Sequence, residues 1–377
     1  MIQARNPVSA QERYRNQIRW RQVSVLPQPE NSPGGAGYAG MLAGIHQDKL
    51  IVAGGANFPD TMPWFGGKKK YYDRIFVLSL RRGKISLVSD EGRLPEPLAY
   101  TASCNTARGI FFGGGESGKG LRAECGIVSW NNYTQKTEVH NLPSLPVPLA
   151  NAMVACYNEQ IFIAGGETAG GVSDKLFILN LAAEDKGWKE GPALLQPVSH
   201  GRLFALPDAQ GVRLILTGGR CKGQNGISLF YSQVTEISFP GGKWQQVQSM
   251  PYALAAGTGV LTGNECILLL GGDRGLVFNQ VERIIAEIGG EKNQQEKDRL
   301  NQEKIRIQSS HPGFSRQILR FCPGEQVWKS AGNLPYDTPV TTEALIWNDY
   351  IVIPSGEIRA GVRSPWFLLG KIPPALK

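Results

Sequence analysis

Six apolar runs in this chain end on a pair of small residues, and that recurrence restricts the fold more than any single motif does. LIVAGG, GIFFGGG, IFIAGG, LILTGG, ILLLGG and YIVIPSG place the pairs at Gly54-Gly55, Gly114-Gly115, Gly165-Gly166, Gly218-Gly219, Gly271-Gly272 and Ser355-Gly356. The first five lie 60, 51, 53 and 53 residues apart, and 84 separate the fifth from the sixth. Self-similarity at a period of about 50 residues marks a repeat architecture. Within one period, short β-branched and aromatic runs such as YAGMLAGIHQ, KLIVAGG, DRIFVLSL and KISLVS are separated by Gly, Asp, Asn and Lys. These read as four antiparallel strands. Four strands in each of six periods predict an all-β, six-bladed β-propeller. The glycine pair has a mechanical reason. It ends the second strand where the chain turns close to its neighbours and leaves no room for a Cβ.

A second element precedes most units: a Trp, a short gap, then Leu-Pro or a similar pair. It is seen at Trp20, Trp188, Trp244 and Trp328, and two further units keep Leu-Pro without the Trp. The pattern resembles the kelch repeat over residues 20 to 370, which implies a kelch-type propeller. The ends complement each other. IRWRQVSVLP reads as a fourth strand lacking its first three, while TTEALIWN, YIVIPSG and SPWFLLGKI read as three strands lacking a fourth. The N-terminal strand is therefore expected to complete the last blade and remove an open sheet edge. The domain reading is one propeller over 1–377, with a leader over 1–19. An insertion of about 275–312 in the fifth blade is charged, rich in Gln and without β alternation. It is expected to be partly helical and to lean over the mouth of the ring, either as a lid or as a surface excursion or oligomer contact.

Charge and composition narrow the partners. The net charge of +8 comes from scattered residues, the densest run being Lys68-Lys69-Lys70. That argues against an extended nucleic-acid groove and suits a pocket for a small anion. No apolar run reaches the ~20 residues that cross a bilayer, so no membrane partner is expected. The N-terminal stretch has no apolar core of a secretory signal. The sequence as it stands fits the cytoplasm, and the periplasm if a signal had been removed. The oligomeric state is not legible. Cys104, Cys125, Cys156, Cys221, Cys266 and Cys322 form no CxxC motif, and Cys156 and Cys266 read as small buried hydrophobes. The six neither require nor exclude an oxidising compartment. His46, His140, His200 and His311 show no ligand spacing, so no metal site is expected, and His46 and His200 read as structural. GGGESGKG contains GxGxxG and falls one residue short of a phosphate loop, Gly120 standing where Ser or Thr is needed. The strand-like LRAECGIVSW after it argues against nucleotide binding, because both motifs need a following helix. No cofactor is expected.

The stretch SGEIRAGVR, residues 355 to 363, carries the densest chemistry. Its glycine belongs to the repeat, and Glu116 and Glu167 hold the same place as Glu357 in two other units, so a solvated loop carboxylate is the structural alternative. Favouring function, the loop should face the central mouth with other charged loops bearing Arg220, Asp273, Arg274 and Arg122. Glu357 and Arg363 stand six apart across a Gly turn and can address one small ligand.

GExxxGxR on a blade loop after a helical insert, together with AGGANFPD, MPWFGGKK and AGGETAGG, resembles the N-acetylneuraminate epimerases, the sialic acid mutarotases. In the usual arrangement of that family the insert lies in the third blade and the Glu-Arg loop in the fourth. Here they are fifth and sixth, as if the ring were opened two blades earlier, so the chain looks like a cyclically permuted branch. The resemblance implies a cofactor-free isomerase acting on a small anionic sugar, sialic acid. It implies Glu357 as proton acceptor and Arg363 as substrate-engaging arginine. Arg359 is a second cation that could anchor the carboxylate instead. Arg220, Arg274, Asn57 and Glu116 are substrate-binding candidates by loop position. The general acid is not legible. Two alternatives remain from the sequence: a non-catalytic propeller that binds a protein or glycan, and a mutarotase for another sugar.

Overall fold

In the computed structural model, residues 17–23, 26–27, 37–263 and 265–376 are described, and the leader expected over 1–19 lies almost wholly outside them. Six antiparallel sheets follow one another along the chain, over 39–93, 102–142, 153–190, 202–246, 258–333 and 345–371, each of four strands, the first with a further short strand, Lys70–Tyr71, paired to its second. In each of the first five, the strand order is the sequence order. The sixth takes its outer strand from the other end of the chain: Arg19–Val23 pairs antiparallel with Phe367–Lys371, Arg19 opposite Lys371 and Val23 opposite Phe367. The architecture is the six-bladed propeller the repeat predicts. Among the described residues, no helix is long and apolar enough to cross a membrane.

The core lies between blades, which explains the unbroken apolar second strands. In Lys49–Asn57, Leu50 and Val52 pack toward Trp347, Val352, Phe367 and Leu369 of the sixth blade. Ile51 and Ala53 pack toward Ile110, Phe112, Val128 and Trp130 of the second. Alternate side chains point to opposite faces of a strand, and both faces are buried here, so alternation vanishes from the sequence. Three of the four recurring Trp tie blade to blade through the ring nitrogen, and that of Trp20 is buried without a partner among the described residues. Nε1 of Trp188, Trp244 and Trp328 donates to the carbonyls of Pro143, Pro192 and Gln248, at 2.8, 3.0 and 3.0 Å.

The paired residues form the next seam. The second glycine of a pair donates its N–H to a carbonyl in the linker after its blade: Gly55 to Leu98, Gly115 to Leu149, Gly166 to Val198 and Gly219 to Leu254, at 2.7–2.9 Å. A Cβ on the first glycine would come within 2.0–2.4 Å of that same oxygen. In the last blade Ser355 adopts the left-handed backbone (φ 52°) in the glycine's place. Its hydroxyl lies 2.7–2.8 Å from the Tyr38 N–H and the carbonyls of Tyr38 and Ser364.

Nearest the axis, one residue per blade is held at positive φ: Gly40, Tyr100, Asn151, His200, Ala256 and Thr341, between 50° and 68°. Each N–H donates to the carbonyl of its counterpart in the preceding blade, and Gly40 closes the circuit onto Thr341, all at 2.7–3.0 Å. Six backbone hydrogen bonds thus form a closed ring. Below it Arg202 and Glu343, from the fourth and sixth blades, meet through two hydrogen bonds at 2.7 and 2.5 Å.

The insertion lies between the second and third strands of the fifth blade, as expected, as two helices: α1 (Leu276–Gly290) and α2 (Gln294–Ser309). The Asp273 carboxylate accepts from Gly275 N–H just before α1. Asn293 caps α2 by accepting from Gln295 and Glu296. Ile284, Leu300 and Ile307 are buried between the helices. Glu282 on α1 accepts from the N–H and hydroxyl of Ser228 in the fourth blade, at 2.6 and 3.0 Å, fixing the pair over the ring.

Two cysteine readings need correction, the first being Cys156, which is only partly buried. Cys266 is buried, but it is joined to Cys322 in a disulfide. Spacing concealed this because the two are 56 residues apart, yet the pairing of Ile267 with Phe321 sets them side by side. GGGESGKG forms a hairpin, Glu116–Ser117 against Gly120–Leu121, and no helix follows.

Candidate active site

The residue after each small pair is held by a two-hydrogen-bond bridge to the residue before the ring position. Glu116 pairs with Ala99, Glu167 with Ala150, Arg220 with Ser199, Asp273 with Ala255 and Glu357 with Val340. In the first blade Ala56 pairs with Ala39. Repetition of the backbone therefore sets six equivalent positions around one mouth, filled by four carboxylates, one arginine and one alanine. They surround a cavity of about 660 Å³, lined by Glu116, Glu167, Arg220, Asp273 and Glu357, by Tyr100, Asn151 and His200 of the ring, and by Val277, Phe278, Val281 and Ile285 of α1. A charged floor under a partly apolar roof suits a small ligand with both characters.

Glu357 and Arg363 are direct cross-strand partners in the hairpin of the last blade. One Glu357 oxygen accepts from Gly361 N–H at 2.9 Å, and the other lies 3.1 Å from Arg363 Nη2. Each oxygen keeps a lone pair for another donor. Arg363 is 8% exposed, with its guanidinium 4.8 Å from the centre of the Phe58 ring. Its Nε and Nη1 are buried and have no hydrogen-bond partner. A buried cation with two idle donors is costly, and the two lie on different edges of the guanidinium, so no single carboxylate spans both.

Charged residues from the other blades share the mouth. Glu167 accepts from Asn151 Nδ2 at 2.9 Å and lies 3.4 Å from Arg220 Nη2. Arg220 stacks 4.3 Å from the Phe278 ring, and its Nε donates to His200 Nδ1 at 3.4 Å. Burial first, and the Arg220 charge second, hold the His200 pKa well below its ordinary value. Glu116 accepts a short hydrogen bond from the Tyr71 hydroxyl and pairs with Lys69 at 3.3 Å. Burial and then that bond push the Tyr71 pKa up. Asp273 is also raised, chiefly by burial. Among the described residues no cluster could hold a metal ion.

Of the residues expected from sequence, the fold brings Glu357, Arg363, Arg220 and Glu116 to one cavity. Four others do not line it, among them Arg122, which pairs with Glu96 and Glu124 instead. Asn57 is fully buried, donating to the Gly37 carbonyl and accepting from the Tyr72 hydroxyl. Arg274 stacks on Tyr252 at 4.4 Å. Arg359 turns outward to Asp337 at 3.2 Å, half its side chain exposed. His200, read as structural, belongs to the ring and lines the cavity too. His311, Glu167 and Lys69 also line it. The register of the repeat could have revealed His200, since it follows Val198 as Tyr100 follows Leu98. His311 carries no comparable signal.

The model of the family described as N-acetylneuraminate epimerase matches residues 142–373. Among curated proteins of that name, the one from Salmonella typhimurium is 26% identical over 230 residues, 59% of this chain and 56% of the relative. The Pasteurella multocida protein is 24% identical over 236 residues, 61% and 58% of the two chains. The Vibrio cholerae protein is 33% identical over 120 residues, 30% and 31%. The chain thus spans at most a little over half the length of these curated relatives. A solved structure titled "Structure of YjhT" superposes with a TM-score of 0.59 at 14% identity, covering 89% of this chain and 94% of that one, and shows a shared fold.

Proposed function

The chain belongs to the N-acetylneuraminate epimerase family, and from that premise we propose that it interconverts the α and β anomers of a sialic acid at the Glu357–Arg363 end of the mouth cavity. The observation that carries this reading is a mostly buried arginine, Arg363, paired with a carboxylate, Glu357, in the lining of one cavity. Sialic acid bears a carboxylate on its anomeric carbon. Drawn to the Arg363 cation, that carboxylate would bring the anomeric hydroxyl toward Glu357, the cross-strand neighbour.

The chemistry then needs only proton traffic. Glu357 accepts the proton of the anomeric hydroxyl, a carbonyl forms, and the bond from the anomeric carbon to the ring oxygen breaks. The ring oxygen keeps the electron pair and takes a proton from water. Rotation about the neighbouring carbon–carbon bond and closure on the other face return both protons. Holding Glu357 between Gly361 and Arg363 keeps the base oriented without occupying all its lone pairs.

We also read the blade order as permuted. The family match is one continuous stretch from the third blade onward, whereas the likeness in fold runs over 89% of the chain. That contrast is expected when one closed ring is opened at two different seams.

The test adds freshly prepared α-N-acetylneuraminate and follows its decay by NMR. Acceleration by the wild-type chain, abolished by Glu357→Gln and weakened chiefly in KM by Arg363→Ala, is the expected result. Decay at the buffer rate overturns the reading. Acceleration of a neutral hexose anomer instead supports a mutarotase of other specificity, and acceleration of neither supports a binding propeller.

A further inference from the structure

We propose, resting on the mutarotase reading above, that His311 touches the substrate as a neutral imidazole and donates a hydrogen bond from Nε2 to the sugar ring oxygen as the ring opens. His311 lies two residues past the end of α2, so the residue belongs to the insertion rather than to any blade. It nevertheless lines the same cavity as Glu357 and Arg363.

The backbone around it fixes its tautomer. His311 Nδ1 accepts from Gly313 N–H at 3.0 Å. A ring nitrogen that accepts carries no hydrogen, so the neutral ring bears its hydrogen on Nε2. A second proton would set an Nδ1–H against the Gly313 N–H, two donors facing each other. The surroundings act in the same direction: burial lowers the pKa most, with Glu357 pulling it up and Arg359 pulling it down. His311 is 8% exposed, and its ring lies 5.0 Å from the Phe314 ring. The His311 N–H donates to Gln308 at the end of α2. Its Nε2 makes no hydrogen bond with a described residue, and the cavity is where it can find one.

The reaction has a place for such a donor. Arg363 is committed to the carboxylate and Glu357 to the anomeric hydroxyl. Gly361 N–H is spent on Glu357, and Arg359 faces Asp337. As the anomeric carbon–ring oxygen bond breaks, its electron pair moves onto the ring oxygen. The Nε2–H stabilises that growing charge and stays on nitrogen throughout, while water supplies the proton that completes the hydroxyl. A donor aimed at developing charge contributes to kcat more than to substrate affinity.

The test compares α-anomer decay for the wild-type chain, His311→Phe and His311→Gln, with melting curves to establish folding. His311→Phe should lower kcat about 10²-fold with KM within about threefold, by analogy with removing one such donor. His311→Gln places an amide N–H where Nε2 was and should recover most of the rate. Unchanged kcat in His311→Phe, a loss confined to KM, or a Gln variant as slow as Phe each overturns the proposal. If His311→Phe does not fold, His311→Asn, whose amide falls at the Nδ1 place, takes its part, and equal rates for Asn and Gln overturn it. A wild-type chain that leaves decay at the buffer rate defeats the mutarotase reading itself, whereas an active wild type with an equally active His311→Phe defeats this inference alone.

Discussion

Gly165 and Ser355 meet one steric demand in two ways. At Gly165 a Cβ would lie 2.0 Å from the Val198 carbonyl at φ 64°. Gly165→Ala should therefore cost about 2–4 kcal/mol in urea denaturation, from left-handed strain and overpacking together. Gly118→Ala, where nothing lies within 4 Å and φ is not positive, should change stability by less than about 0.5 kcal/mol. Ser355 tolerates the same backbone because its hydroxyl answers three backbone groups. His200 gives a second prediction at this scale. Ser199, Arg220 and Glu167 face its ring, and burial with the Arg220 charge keeps its folded pKa well below the ordinary 6.5. Below 6.5 the unfolded chain takes up a proton that the folded chain refuses. The stabilisation is thus complete above that pH and is lost as the pH falls, at up to about 1.4 kcal/mol per pH unit. His200→Asn should flatten the fall in stability between about pH 6.5 and 5 in chemical denaturation. Asn is suited to the place, since Asn151 holds the equivalent left-handed position one blade earlier.

Elements were legible in the sequence where both faces of a strand are buried and illegible where proximity is made by the ring. The second strands announced themselves as unbroken apolar runs because each packs against two neighbouring blades. The mouth positions were legible as the residues after the glycine pairs, which is how Glu357, Glu116 and Arg220 could be found. Asn57 and Arg274 stand one residue further along than Ala56 and Asp273. A strand reverses its side chains at each step, and that single step carries both away from the cavity. His311 could not be found this way, because the helical insert brings it to the mouth and no repeat marks it. The Cys266–Cys322 link was hidden for a related reason: strand pairing, not spacing, joins the two. It crosses the base of the insert-bearing strand pair, the helices leaving from the other end. Denatured without reductant, the chain should therefore react with four equivalents of a thiol reagent, and with six after reduction. Six in both conditions would remove the link.

At the scale of the whole molecule, the closed ring matters more than the order in which the chain visits it. The inner hydrogen-bond circuit runs through all six blades and closes from Gly40 onto Thr341. The outer seam is covered by Arg19–Val23 on Phe367–Lys371. Ile18 and Trp20 pack there with Leu268, Ile318, Ile351 and Leu368, across the fifth and sixth blades. Deleting residues 17–27 would strip that packing and expose a sheet edge ready to pair with another chain. The deleted protein should lose its cooperative melting transition and aggregate. Moving the same strand should be harmless. A permutant that starts at Gly37 and carries residues 1–36 after Lys377 restores the same neighbours, because Lys371 and Arg19 are already opposite each other and the new chain order joins them by residues 372–377 and 1–18. Its melting temperature should stay within a few degrees of the parent chain and its rate of anomer decay should be unchanged, whereas the deletion loses both. A permutant as damaged as the deletion would show that covalent order holds the ring together, and would remove the physical ground for reading the blade order as permuted.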